Sequence, residues 1–154
     1  MEAEKRIEEL GITLPEQSKP SAMYIPVKQL GNALFISGQI PIVDGELVYK
    51  GKVGAERTVE EAKDAAKICT INMLSAVKQY LGDLNRVKNV TKLQGFVNSE
   101  LGFTDQHLVI NSASQLLYDV FGEAGRHART ALGTSHLPLN ATVEIEAIFE
   151  IKEN

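Results

Sequence analysis

A chain of 154 residues, 44% of them hydrophobic, is long enough to bury one well-packed core and too short for two domains of ordinary size. Sixteen Lys and Arg against twenty Asp and Glu leave a net charge of −4, the wrong sign for a protein whose affinity would come from neutralising phosphates. One cysteine excludes an internal disulfide, and no run approaches the roughly 18 apolar residues of a membrane span.

Residues 2–10 read as a short helix with Ile7 and Leu10 as its apolar points and Gly11 as its stop. The charged start, with no apolar stretch behind it, leads us to expect a cytoplasmic protein. Residues 13–22, with Pro15 and Pro20, are an irregular connector, so 1–22 form an N-terminal helical extension and its link to the rest. Residues 24–29 and 33–37 are extended runs around Leu30-Gly31-Asn32, a hairpin signal. Asp44-Gly45 marks a second tight turn.

Thr58-Val59-Glu60-Glu61 fits a capping box that opens a long helix ending at Leu81 and Gly82. Its apolar stripe is Val59, Ala62, Ala66, Cys69, Met73, Ala76 and Tyr80, which makes Cys69 a buried small hydrophobe rather than a nucleophile. Residues 87–97 return to an extended pattern. Residues 103–121 form a second helix capped near Thr104 or Asp105, with Val109, Ala113, Leu116, Leu117 and Val120 inward and Gly122 closing it.

Two extended runs around a Pro138/Asn140 turn complete the chain. In the last, Val143, Ile145, Ala147, Phe149 and Ile151 alternate with Glu144, Glu146, Ile148 and Glu150, so one face is core and the other carries carboxylates. This order of elements is an α+β fold with two helices on one face of a sheet. Without a repeat, low-complexity tract or linker, residues 1–154 read as a single domain.

Arg129, on one of these last strands, and a glutamate on a neighbouring one could together bind a small anion and activate a water, since Arg grips carboxylates and Glu serves as base. The spacing equally fits a solvated acidic face in which Arg129 pairs with Glu144, Glu146 or Glu150. His107, His127 and His136 lack metal-ligand spacing, so we expect no metal and no cofactor.

Over residues 24–150, most of the chain, the sequence resembles the Rid/YjgF family, also called endoribonuclease L-PSP. The resemblance rests on Tyr24, Leu30-Gly31-Asn32, Ser37-Gly38-Gln39-Ile40-Pro41, Asn111, Ala128-Arg129, Leu137-Pro138 and Val143-Glu144-Ile145-Glu146-Ala147-Ile148. It implies a chorismate-mutase-like fold, a homotrimer with clefts between subunits, and hydrolysis of reactive 2-imino and 2-enamino acids to 2-oxo acids and ammonia. On that resemblance Arg129 grips the substrate carboxylate and Glu144 activates water. Tyr24 is a third catalytic residue that walls the cleft and lends a hydroxyl, the backbone around Gly38 and Ala131 supplies hydrogen bonds to the reacting nitrogen, Ser37 also contacts substrate, and Asn111 helps to hold the loop geometry.

The residues also admit plainer roles. Tyr24 fits an interface aromatic, Gly38 a close backbone approach, and Asn111 a helix side chain bonded to a nearby loop. His127, Ala131 and Phe149 stand where the family often has proline, cysteine and a small residue, and with the N-terminal extension they place the chain on a divergent branch. A second expectation is therefore a non-catalytic module that binds a small carboxylate in the same cleft. An endoribonuclease is disfavoured by the acidic charge and by the absence of a histidine pair suited to RNA cleavage.

Overall fold

The computed structural model describes residues 2–17 and 22–153, so part of the expected connector over 13–22 lies outside the described residues. Helix α1, Ala3–Glu9, buries Ala3 and Ile7, which lie one turn apart on the same face. Leu10 is the C-cap and is 44% exposed, contrary to its expected inward place, because it follows the last helical residue. The Glu4 carboxylate ties α1 to the rest of the domain by accepting from Lys78 Nζ and from the Leu84 backbone N–H.

Strands β1 (Val27–Leu30) and β2 (Ala33–Gln39) form the expected hairpin across Gly31-Asn32. The first strand begins three residues later than the sequence pattern, since Pro26 has no N–H to give a ladder. Ser37 instead ties the preceding segment down, its N–H donating to the Pro26 carbonyl at 2.8 Å and its hydroxyl to that of Ile25 at 2.7 Å. Strands β3 (Ile42–Val43) and β4 (Glu46–Leu47) pair across Asp44-Gly45, both at positive φ as a two-residue turn of this hand requires.

Helix α2, Val59–Leu81, opens on the expected capping box: the Thr58 hydroxyl accepts from Glu61 N–H, and the Glu61 carboxylate accepts from Thr58 N–H, both at 3.1 Å. Ala62, Ala66, Cys69, Met73 and Ala76 are buried as the stripe predicts. Tyr80 is not; its hydroxyl reaches out to donate to Gln29 Oε1 at 2.8 Å. Helix α3, Gln106–Phe121, starts later than expected, and its N-cap Asp105 makes no side-chain capping bond, but all five predicted inward residues are buried.

Strands β5 (Val87–Asn98), β6 (Ala128–Thr134) and β7 (Val143–Ile151) complete a mixed sheet of order β1-β2-β7-β5-β6, in which only β5 and β6 run parallel. A parallel pair needs a crossover, and α3 supplies it. The last strand is thus central. Its alternate residues from Val143 to Ile151 are buried toward the helices, where the Phe149 ring meets Phe121 edge-on at 6.0 Å.

The opposite face presents Lys28, Phe35, Lys92, Gln94, Phe96, Glu146 and Ile148, and no element among the described residues covers it. No helix among the described residues is long and apolar enough to cross a membrane.

Candidate functional site

Register decides where Arg129 points. On edge strand β6 it lies level with Leu93 of β5, whose side chain is fully buried under the helices, so the guanidinium leaves the sheet toward α3. There its Nη1 donates to Asn111 Oδ1 at 2.8 Å and to Ser114 Oγ at 3.3 Å, two groups one helical turn apart. The other guanidinium nitrogens have no protein partner among the described residues, and no carboxylate there lies within ion-pair distance. The expected pairing with Glu144, Glu146 or Glu150 does not occur; Glu150 pairs with Lys88 instead, at 2.8 Å.

A cavity of about 460 Å³ opens over this group, lined by Asn111, Ser114, Tyr118, Arg126, His127 and Arg129, with Gln115 at its side. His127 is half-buried, and burial, aided by the Arg129 charge, pushes its pKa below the usual histidine range. That shift, opposed in part by the hydrogen bond to the Gly125 carbonyl, favours the neutral imidazole. Asn111, expected to brace a loop, bonds to Arg129 itself.

Tyr24, Gly38 and Gln39 belong to a different cavity, of about 480 Å³, walled also by Pro15, Asn72 and Asp44. Asn72 holds that wall by donating to the carbonyls of Ile40 and Ile42 at 3.2 and 3.0 Å. Ser37 lines neither cavity; its two bonds to the residues before β1 anchor the segment that carries Tyr24. Glu144 packs directly beneath Gly38: a Cβ at position 38 would stand 3.0 Å from the carboxyl carbon. Desolvation, with Glu146 two residues along the same face, raises the Glu144 pKa above the ordinary carboxylate value.

Arg129 and Glu144 do not meet within one chain. β5 lies between their strands, and the register places Arg129 beside Leu93 but Glu144 beside Phe96, three residues on, so they emerge from opposite faces. Gly38 on β2 and Arg129 on β6 are three strand spacings apart, about 14 Å. Ala131, two residues beyond Arg129, shares its face at the same edge.

Three residues of these sites escaped the sequence reading. Asn72 and Ser114 are polar residues inside helices whose apolar pattern dominated the reading, and His127 stood out only as a departure from proline. For Asn72 a signal existed, a polar residue within the buried run from Asn72 to Val77.

The family model described as "YjgF/chorismate_mutase-like, putative endoribonuclease" matches residues 4–151. The chain belongs to the YjgF family. Among its YjgF-like relatives is the solved structure of the protein Atu1372 of Agrobacterium tumefaciens, of unknown function: it is 48% identical, with a TM-score of 0.91, over 97% of this chain and 92% of that one. A solved structure from Shewanella oneidensis named a "putative endoribonuclease" is 34% identical with a TM-score of 0.93, covering 97% and 99% of the two chains. Protein TCP17 of Trypanosoma cruzi is 44% identical over 146 residues, 94% of this chain and 91% of that protein. The α+β architecture is thus that of the YjgF fold.

Proposed function

We propose that this protein hydrolyses reactive 2-imino and 2-enamino acids to 2-oxo acids and ammonia, in a cleft completed between copies of the chain in a homotrimer. The observation that carries this reading is the unfilled edge of the Arg129 guanidinium, oriented by Asn111 and Ser114 with no carboxylate among the described residues opposing it. Such an edge is complementary to a bidentate carboxylate. A second copy that brought its Tyr24, Gly38 and Glu144 to this edge would unite the two half-sites.

An imine carbon is already electrophilic, so the site needs to orient it, deliver water and move protons. In the proposed step Glu144 accepts a proton from water as its oxygen bonds to C2 and the C=N π electrons move to nitrogen. Glu144 returns that proton to nitrogen and then transfers the carbinolamine hydroxyl proton to the amine as C=O forms and the C–N bond breaks, releasing ammonia and the 2-oxo acid. A carboxylate with a raised pKa is a stronger base, which suits Glu144 to the first transfer.

The competing reading is a non-catalytic module that senses a small carboxylate, for which the Arg129 cavity alone suffices. Ammonia release from imines generated in situ separates the two. Hydrolysis above the uncatalysed rate that is lost in Arg129→Ala and Glu144→Gln supports the enzyme, whereas carboxylate binding with no hydrolysis of any imine supports the sensor. The endoribonuclease name is a family label, and a net charge of −4 argues against RNA as the ligand.

A further inference from the structure

The Arg129 guanidinium is the end of a longer chain of hydrogen bonds. The Gly125 carbonyl lies 2.6 Å from His127 Nδ1, and a carbonyl can only accept, so Nδ1 carries the proton. In the neutral ring Nε2 is then a bare acceptor, 2.9 Å from Ser114 Oγ, and the serine proton must point at it. That leaves the Ser114 lone pairs for Arg129 Nη1. Each group thus dictates the orientation of the next.

The start of the chain is rigid. Gly125 closes the 3-10 turn Gly122–Gly125 against α3 so tightly that a Cβ there would sit 2.2 Å from the Leu117 carbonyl oxygen, which fixes the carbonyl that His127 reads. Around the ring, α3 contributes Asn111, Ser114, Gln115 and Tyr118. The turn contributes Arg126, with Glu123 beside it at 3.5 Å, and β6 contributes Arg129. Among the described residues no carboxylate lines this cavity.

We infer that His127 is a positioning residue for Arg129, acting through Ser114, and that it takes up a proton when a small carboxylate occupies the Arg129 cavity. The inference rests on the carboxylate-binding reading above. Its physical basis is geometry and charge: burial disfavours the imidazolium, the guanidinium that shares Ser114 with it adds to that penalty, and a bound carboxylate would offset the added part. Protonation and binding then favour each other, and by linkage affinity rises as pH falls through the histidine range.

Pyruvate binding by calorimetry between pH 5.5 and 8, at constant ionic strength, tests this. Wild type is expected to bind about threefold to tenfold more tightly at pH 5.5 than at pH 8 and to take up protons on binding, read from the dependence of the heat on buffer ionisation. His127→Phe and Ser114→Ala should weaken binding at pH 8, and His127→Phe should also abolish the pH dependence; Ser114→Thr, which keeps the hydroxyl, should bind at pH 8 as wild type does.

The Glu144→Gln background removes the acid that a second copy would bring to this edge and should leave the slope intact. In the free protein, imidazole ¹⁵N shifts should place the proton of His127 on Nδ1. Wild-type affinity that is flat with pH and matched by His127→Phe would overturn the inference alone. No binding by wild type at any pH would overturn both it and the carboxylate reading.

Discussion

The Glu144 carboxyl fills the space that a side chain at Gly38 would occupy, with its carboxyl carbon and Oε1 both 3.0 Å from an ideal Cβ at that position. Gly38 sits where the β2–β7 register shifts, between Ile36 and Gln39, and this bulge brings its backbone over the acid. Glycine is needed here for room, since its φ is not positive. Gly38→Ala should therefore displace Glu144 by a few tenths of an ångström, leave the melting temperature nearly unchanged, and lower kcat for imine hydrolysis by about tenfold or more. A variant with unaltered kcat would show that the carboxyl position has no bearing on turnover.

Glu144 itself should trade stability for activity. Its folded pKa is raised, so the native state binds more protons than the unfolded chain at pH just above the ordinary glutamate range. The stability it contributes is complete below that range and is lost as pH rises through the folded value. At pH 7 the ionised group thus costs stability, and Glu144→Gln should melt higher than wild type, with the difference closing near pH 4. The same variant should hydrolyse imines on the order of a hundredfold more slowly, because the amide has no basic oxygen. Thermal melts across pH, set beside ammonia release, check both halves.

Arg129→Ala should remove about 2–5 kcal/mol of carboxylate binding, equivalent to about 30-fold to several thousandfold in kcat/KM. Folding should survive, since the guanidinium lies at the sheet edge and its two partners can turn to solvent. Unchanged turnover in a folded variant would remove Arg129 from the site.

Assembly follows from the two half-sites and the uncovered face of the sheet, where Phe35 is 44% and Leu132 39% exposed. Light scattering should give three times 16.9 kDa, about 51 kDa, for a closed homotrimer. A clean monomer at micromolar concentration that still hydrolyses imines would eliminate the shared cleft.

Gly95 tests the packing that sets the distance between α3 and the sheet. A Cβ at this position would lie 2.4 Å from Ile110 Cδ1, and both residues are buried. Gly95→Ala should destabilise the domain by about 1–3 kcal/mol in denaturant titration, and Ile110→Val in the same background should recover part of that loss. Equal stability of Gly95→Ala and wild type would mean that α3 can shift freely on the sheet.

Local chemistry made much of the fold legible from the sequence alone. The Thr58–Glu61 capping box, the Gly82 stop, the Asp44-Gly45 turn and the two-residue alternation from Val143 to Ile151 each depend on neighbours within a few residues, and each stands where the pattern places it. The landmarks from Tyr24 through Ser37–Pro41 and Ala128-Arg129 to Val143–Ile148, taken together, likewise pointed to the family. Strand order was not legible, because it depends on pairing between segments far apart in the chain.

That order places β5 between Arg129 and Glu144, and the three-residue offset between Leu93 and Phe96 sends their side chains to opposite faces. Burial decided the rest. Ser114 looks unremarkable in the sequence and His127 shows only as a departure from proline, and the packing of the Gly122–Gly125 turn onto α3 is what lines them up behind Arg129. Residue types fix which chemistry is available, while the faces and edges on which it is presented belong to long-range packing that local periodicity does not encode.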